Sequence, residues 1–424
     1  MSEWIESSLT QLVNFQKGRK VETSDFPQEG YAAYLGASGI GGVADSFATV
    51  RFAVIAKPTD VLMLWDGERS GLCGYGRQGV VASTVSKLTP NDLIEPQYLY
   101  FALADKFEWI QHRRTGTGVP HVPKDIGRML KLKYPKSRAT QKKITTILTS
   151  IDTAIEKTEA LIGKYQQIKA GLMHDLFTRG VLPNGTLRPP RTEAPEIYQE
   201  TAIGLIPREW KVQSVGVTLE SVADGPFGSN LKTEHYAVDP GARVVRLQNI
   251  VAYEYNDRDK AYISDRHARF LLRNKVIGGD VLIAGLGEER YPVGRACVYP
   301  NELPPAINKA DCFRARCNSD VMENKFFMLL LNSELARRQI RRYEQGVTRP
   351  RINTGNLKRL VICIPDIDEQ RRIVTKFESV QATIHAQQST VETLRQQKLG
   401  LMQDLLTGKV SAKLDTPGSE TVDA

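Results

Sequence analysis

Basic and amide side chains gathered beside glycine turns are the clearest chemistry-bearing pattern in this chain. Arg113 and Arg114 precede Thr115-Gly116-Thr117-Gly118-Val119, and Arg341 and Arg342 precede a turn ending Gly346-Val347-Thr348-Arg349-Pro350-Arg351. Guanidinium groups and backbone N–H groups offered at such turns suit phosphate oxygens. A second group lies in Gly225-Pro226-Phe227-Gly228-Ser229-Asn230-Leu231-Lys232, followed by Arg246, Gln248 and Asn249. These side-chain types read base edges best, by bidentate pairing to guanine or adenine. Arg113, Arg114, Ser229, Asn230, Lys232, Arg246, Gln248, Asn249, Arg349 and Arg351 are therefore the candidate DNA contacts. The competing account makes them a solvated helix end, a turn and a half-buried strand.

No catalytic constellation is expected. Gly74-Tyr75-Gly76-Arg77-Gln78-Gly79 fits G-x-G-x-x-G, but the β-prone Val80-Val81-Ala82 follows where a phosphate-binding loop needs a helix start. The glycine-rich residues 36–42 read as a flexible turn. Neither a P-loop nor the Asn-Pro-Pro-Tyr signature of adenine methylation occurs. Cys312 and Cys317 lack a second Cys/His pair, and the histidines show no paired spacing, so no metal site is expected. Pro365-Asp366-Ile367-Asp368-Glu369 imitates a nuclease acidic cluster, but it precedes a long helical pattern, where acidic residues cap the helix and face its dipole.

The whole chain supports the polyanion reading. It has 424 residues, enough for about two to four domains, with 57 Lys plus Arg against 48 Asp plus Glu and a formal charge of +9. Five scattered cysteines do not suggest a disulfide scaffold and favour a reducing cytoplasm. The first residues carry no secretory-signal pattern, and no apolar run approaches the roughly 20 residues of a membrane span.

These residues must be positioned by a chain that is written twice. Residues 141–181 align without a gap on residues 370–410, sharing Lys169/Lys398, Gly171/Gly400, Leu172/Leu401, Met173/Met402, Asp175/Asp404 and Leu176/Leu405. Upstream, Asp60-Val61-Leu62 then Gly67-Glu68 matches Asp280-Val281-Leu282 then Gly287-Glu288, and Gln111, Arg113, Arg114, Gly118 and Val119 match Gln339, Arg341, Arg342, Gly346 and Val347. Glu3-Trp4 and Glu209-Trp210 open the two halves. Residues 19–59 and 226–279 show no convincing similarity, so the middles read as divergent inserts on a duplicated scaffold. Residues 181–207 contain five prolines and read as a semi-rigid linker.

Both repeated segments carry a heptad stripe. In the first it runs through Ile144, Leu148, Ile151, Ile155, Ile162, Tyr165, Leu172 and Leu176; in the second through Ile373, Phe377, Val380, Ile384, Val391, Leu394, Leu401 and Leu405. Alternating steps of four and three make a coiled-coil seam, and about 40 residues make a rod of about 60 Å. Two such helices most simply pair antiparallel, with a globular segment at each end and a pseudo-twofold axis between. The polar seam positions Thr158, Gln387, Lys169 and Lys398 either fix register or face solvent. The competing account is an ordinary bundle helix with a core face.

The entry Gly204-Leu205-Ile206-Pro207-Arg208-Glu209-Trp210, the 225–232 loop, Arg246-Leu247-Gln248-Asn249-Ile250, Gly279-Asp280-Val281-Leu282-Ile283 and both helix ends in Gly-Leu-Met-x-Asp-Leu together resemble the DNA specificity subunit of a Type I restriction–modification enzyme. The first half departs from the pattern, since it lacks the Gly-Pro-Phe-Gly-Ser loop. The resemblance implies an α+β fold: two α/β target-recognition domains (residues 1–139 and 209–366), a central helix (140–180) and a distal helix (367–410) forming an antiparallel coiled coil, a linker (181–208) and a polar tail (411–424). It implies a non-catalytic, cytoplasmic chain that reads a bipartite asymmetric double-stranded DNA target, with the helices setting the spacer. Two methyltransferase subunits and two restriction/translocase subunits are the implied partners, holding S-adenosylmethionine, ATP and magnesium; no cofactor is expected in this chain. The rival readings are a two-headed scaffold without specific DNA binding and a nuclease with an unrecognised site.

Overall fold

The computed structural model describes residues 3–412 except Thr117 and residues 238–240, and it leaves the Ser229 side chain undescribed. The polar tail from residue 413 onward lies outside the described residues. The chain divides into two units, residues 1–161 with 387–424 and residues 162–386.

In the first unit, β1 (Trp4–Ser8) pairs with β10 (Lys131–Pro135). A four-stranded sheet has the order β2 (Val13–Lys17), β9 (Val85–Pro90), β6 (Val61–Leu64), β7 (Cys73–Tyr75). A further sheet runs β4 (Phe47–Thr49), β3 (Tyr31–Leu35), β8 (Gly79–Val81), β5 (Ile55–Ala56), with the short strand Thr23–Ser24 at its edge. Only β3 and β8 run parallel among these neighbours. All four residues of β6 are buried, the continuous apolar run expected of a strand covered on both faces.

The second unit repeats this plan strand for strand except at the Thr23–Ser24 edge, where Tyr236 makes an isolated bridge to Ile263. β11 (Lys211–Ser214) pairs with β20 (Val361–Ile364). The next sheet has the order β12 (Leu219–Ala223), β19 (Cys312–Cys317), β16 (Val281–Ala284), β17 (Ala296–Val298). The last runs β14 (Tyr262–Ile263), β13 (Ala242–Val245), β18 (Ala306–Asn308), β15 (Lys275–Val276), again with one parallel pair, β13 and β18. The middles that share no sequence therefore share topology: they are the same sheet, not unrelated inserts. A sheet needs apolar residues at inward positions, and many sequences meet that need.

Each unit is closed by the long helices Arg138–Thr178 and Ile367–Leu405. Their segments run antiparallel within each unit. Lys398 meets Asp152 at 2.6 Å and Arg395 meets Glu159 at 2.6 Å in the first; Lys169 donates to Gln381 at 2.6 Å in the second. The repeat aligns Lys169 with Lys398 and Gln381 with Asp152, so one cross-helix contact is made twice. Thr158 instead bonds its own helix at Ala154. The seam is buried at Ile144, Leu148 and Leu405, which join the first unit's core, at Leu176, Ile373 and Phe377, which join the second's, and also at Ile155, Ile384 and Val391 along the helices. Ile151, Ile162, Tyr165, Val380 and Leu394 are half-buried. These helices are at once seam and core helix.

Duplicated polar staples fix where each long helix starts. Gln141, fully buried, accepts from the Glu95 N–H and donates to the Pro135 carbonyl; Gln370 does the same with the Glu323 N–H and the Pro365 carbonyl. Glycine marks where each chain leaves: a Cβ on Gly408 would meet Trp4 at 2.7 Å, and one on Gly180 would meet Trp210 at 2.6 Å. The linker is more ordered than its prolines suggest. It contains a hairpin, Tyr198–Thr201 with Gly204–Pro207, and it inserts Arg188 into the core.

Two local readings change. Residues 37–40 form a helical turn rather than a flexible loop, and Gly39 is required there because a Cβ would stand 2.7 Å from the Tyr34 carbonyl oxygen. In the acidic run before the second long helix, Asp366 accepts the Glu369 N–H as a cap, but Glu369 itself is buried and bound to Arg188. The G-x-G-x-x-G segment is strand, turn, strand.

Candidate nucleic-acid interface

The two glycine turns are braced alike. Thr115 bridges His121 and Gln345 bridges Arg351, and each turn is then tied to the loop after the central strand: Gly67 N–H to the Pro120 carbonyl, Gly287 N–H to the Pro350 carbonyl. Gly116 and Gly346 open the turns with φ of 101° and 90°. The structural counterpart of Gly346 is therefore Gly116, not Gly118 as the sequence alignment has it. The two-residue shift comes from the loop, where identity is sparse and register is set by backbone bonding.

The predicted residues fall into two groups. Arg113, Asn230, Lys232, Gln248, Arg349 and Arg351 are exposed. The Arg113 guanidinium lies over the Trp109 ring at 3.9 Å and donates to the Trp109 carbonyl at 3.2 Å. Among the described residues, the exposed Glu234, at 3.6 Å, is the counter-charge of Lys232. Arg351 pairs with Asp311 at 2.9 Å and stays more than half exposed. Gln248 and Arg349 share the wall of one cavity of about 420 Å³, with Asn256, Glu288 and Tyr291. Asn230 lines another, of about 580 Å³, with Asp224, His267, Phe270, Arg273 and Thr354.

Three of the remaining four, Asn249, Arg246 and Arg114, are engaged in internal bonds. Asn249 is fully buried; it accepts the Arg246 N–H and donates to the Asn256 and Asp259 carbonyls at 2.8 and 2.7 Å. With both donors engaged in holding the 249–259 loop, it has none left for a base edge, and the expectation is corrected. Arg246 is paired with Asp259 and three-quarters buried. Arg114 donates to the Gln111 and Glu68 carbonyls at 2.9 and 2.6 Å, pinning the end of helix Phe107–Gln111 to the loop after β6. The Ser229 side chain lies outside the described residues.

The 225–232 loop depends on close approach. Gly225 is buried against the backbone of Lys309, and any Cβ would overlap it. Beside it, burial raises the Asp224 carboxyl to about 6, and the neighbouring Asp311 charge adds to this against the backbone N–H groups that favour ionisation. In the first unit no equivalent of this glycine loop is visible in sequence. Arg266, Arg269, Phe270 and Arg273, all exposed, lie in the divergent middle and are not among the residues the sequence singles out. The clustering of four basic residues within residues 266–275 was the available signal.

Cys312 and Cys317 lie buried in β19, where desolvation raises both thiols. No cluster of three metal-ligating side chains occurs among the described residues. No helix among them is long and apolar enough to cross a membrane.

Comparison with known proteins adds four findings. A solved S subunit of a Type I restriction–modification system from M. genitalium matches with a TM-score of 0.57 at 15% identity, covering 96% of each chain. A chain from a structure on complex assembly and conformational transition of the type I R-M system matches with a TM-score of 0.55 at 15% identity, covering 96% of this chain and 98% of that one. In sequence, the Type I restriction enzyme MjaVIII specificity subunit of Methanocaldococcus jannaschii is 26% identical over 97% of this chain and 94% of its own. The family profile described as Type I restriction modification DNA specificity domain covers residues 1–167 and 229–393, and the chain belongs to that family.

Proposed function

We propose that each unit reads one half of a bipartite, asymmetric double-stranded DNA target and that the long helices set the spacer between the halves. The observation that carries this is the strand-for-strand duplication of a recognition module whose middle segments differ in sequence: one scaffold, two readouts. The net positive charge and the exposed arginines at the braced turns supply phosphate contacts. The chain itself is read as non-catalytic. Methylation, translocation and cleavage would belong to two methyltransferase and two restriction/translocase subunits, which would hold S-adenosylmethionine, ATP and magnesium. Leu161, Ile168 and Leu399 are apolar, exposed and on the long helices, which supports these helices as the docking body for partner subunits.

Co-expression with the neighbouring methyltransferase, followed by mapping of methylated adenines, tests this reading. One interrupted motif, lost when this chain is omitted, is expected; a stable complex without methylation would overturn it. Replacing Arg349 and Arg351 by Ala is expected to weaken DNA binding and lower the slope of log affinity against log salt by up to about one unit for each lost phosphate contact. An unchanged slope would remove both from the interface.

Asp224 adds a pH dependence. Its folded value of about 6 lies above the ordinary 3.8, so the neutral form is favoured in the fold. Its contribution to stability is complete below about 3.8 and is lost as pH rises through about 6. Ionisation also places a negative charge beside the 225–232 loop. DNA affinity is therefore expected to fall between pH 5 and 7 in a component absent from Asp224→Asn, measured by fluorescence anisotropy at constant salt.

A further inference from the structure

The topological match between the units exposes a pair of residues that sequence alignment does not bring together. β4 is joined to β5 by residues 50–54, and β14 to β15, their counterparts, by residues 264–274. The two connections differ in length and sequence, yet each carries an Arg-Phe dipeptide, Arg51-Phe52 and Arg269-Phe270. Both phenylalanine rings are 77% exposed. Phe52 is held at φ 58°, a backbone region a bulky residue occupies only at a cost, and Arg51 lies 5.2 Å from its ring centroid. Neither ring contributes to the core, and one is kept out in solvent on a strained backbone. Such strain at a functional position is retained when the displayed side chain has a use.

The surroundings select the partner. Residues 265–275 carry four exposed cations, Arg266, Arg269, Arg273 and Lys275, and one carboxylate, Asp265; Asp224 lines the adjoining cavity. Phe270 and Arg273 line the cavity that also holds Gly225 and Asn230 of the glycine loop. The core of a protein–protein contact is depleted in charge, whereas nucleic-acid contacts are strongly cationic and often set an apolar wedge among cations. The first unit's connection is more apolar, with Val50 44% exposed beside Phe52.

We propose that the Arg-Phe pair in each unit is a DNA contact of its half-site, the phenylalanine ring resting against or between bases and the adjacent arginine taking a phosphate. This rests on the DNA-specificity reading and names residues for it. The test uses the complete complex of this chain with its methyltransferase partner, carrying Phe52→Ala, Phe270→Ala, Arg51→Ala or Arg269→Ala, with Phe52→Tyr and Phe270→Tyr as rescue variants. Two readouts are taken: the methylated motif and the salt dependence of binding to a duplex bearing it. Phe52→Ala is expected to relax one half of the motif and Phe270→Ala the other, each with at least a tenfold loss of methylation rate and no change in salt slope. The arginine variants should lower the slope by up to about one unit each, and the tyrosine variants should restore the motif. Melting temperatures should not fall, and Phe52→Gly should melt no lower than the parent.

An unchanged motif and rate in both phenylalanine-to-alanine variants, with a clear motif for the parent complex, would overturn the Arg-Phe contact alone. Failure of those variants to co-purify with the methyltransferase, while the assembled fraction keeps its motif, would make the connection a protein contact and overturn it equally. A parent complex with no motif would overturn the specificity reading, and the contact with it.

Discussion

Glu369→Ala is expected to destabilise the second unit by about 3–5 kcal/mol, the range for removing one member of a buried ion pair. The Glu369 and Arg188 side chains are only 3% and 5% exposed and are joined by two bonds, one of them at 2.9 Å. Glu369 also accepts the Val181 N–H at 2.9 Å and the Trp210 indole N–H at 3.3 Å. It thus ties the end of one long helix, the linker and the start of the second module to the beginning of the other long helix. Without it, Arg188 keeps the mostly exposed Glu209 and the Arg179 carbonyl, but its buried charge loses its main partner. Glu369→Gln should fall between, since an amide still offers an acceptor. The double change Arg188→Met with Glu369→Leu should recover only part of the loss, because an apolar pair removes the charge-desolvation cost but leaves the Val181 and Trp210 N–H donors unpaired. Equilibrium urea unfolding of the four proteins decides it. If Glu369→Ala cost less than about 1 kcal/mol, the pair would be a solvent-screened contact of the kind seen at surfaces.

Glu369 also shows where sequence reading stops. Its place before a helix correctly suggested a capping region, and Asp366 does cap. Nothing local reveals that Glu369 turns inward, because its partner is Arg188, in a segment whose prolines argue for an exposed linker. The helices, in contrast, were legible: the heptad period and the repeat are properties of consecutive residues, and the observed bounds differ from the expected ones by a few residues. The repeated lysines were visible as a choice between register and surface, and only their contacts with Asp152 and Gln381 decide it. The middle sheets were not legible as a repeat. Their shared feature is which strands neighbour which, and strand order leaves no trace in residue identity. At the site, residue type identified cations and amides near glycine turns but not their employment. Asn249 and Arg349 looked alike as candidates; one is consumed by its own loop and the other faces solvent.

Exchange of residues 215–360 for the equivalent segment of a relative is expected to replace one half of the methylated motif and leave the other half and the spacer unchanged. The junctions are set by structure. β11 and β20 pair through backbone bonds from Lys211 opposite Ile364 to Ser214 opposite Val361, so a graft between them keeps its frame whatever its side chains. Gln370 also makes a tolerant contact, since it binds the backbone of Glu323 and Val321. A third contact depends on side chains. Lys169 on the first long helix sits 4.3 Å from the Tyr253 ring centroid, Gln381 and His385 on the second reach Glu254, and burial lowers the Lys169 pKa against the pull of Glu254. A graft that omits Tyr253 and Glu254 leaves this half-buried lysine without its nearer ring and its acid, with the Phe377 ring, 5.2 Å away, still in place. Methylation of the original motif is expected to drop at least a hundredfold in either graft, since several mismatched base pairs at about 1–3 kcal/mol each exceed that factor. Only the graft retaining Tyr253 and Glu254 should methylate the new motif at a rate comparable to the parent. Should both halves of the motif change together, the two units would not read DNA independently, and the duplication of the sheets would be architectural rather than a division of recognition.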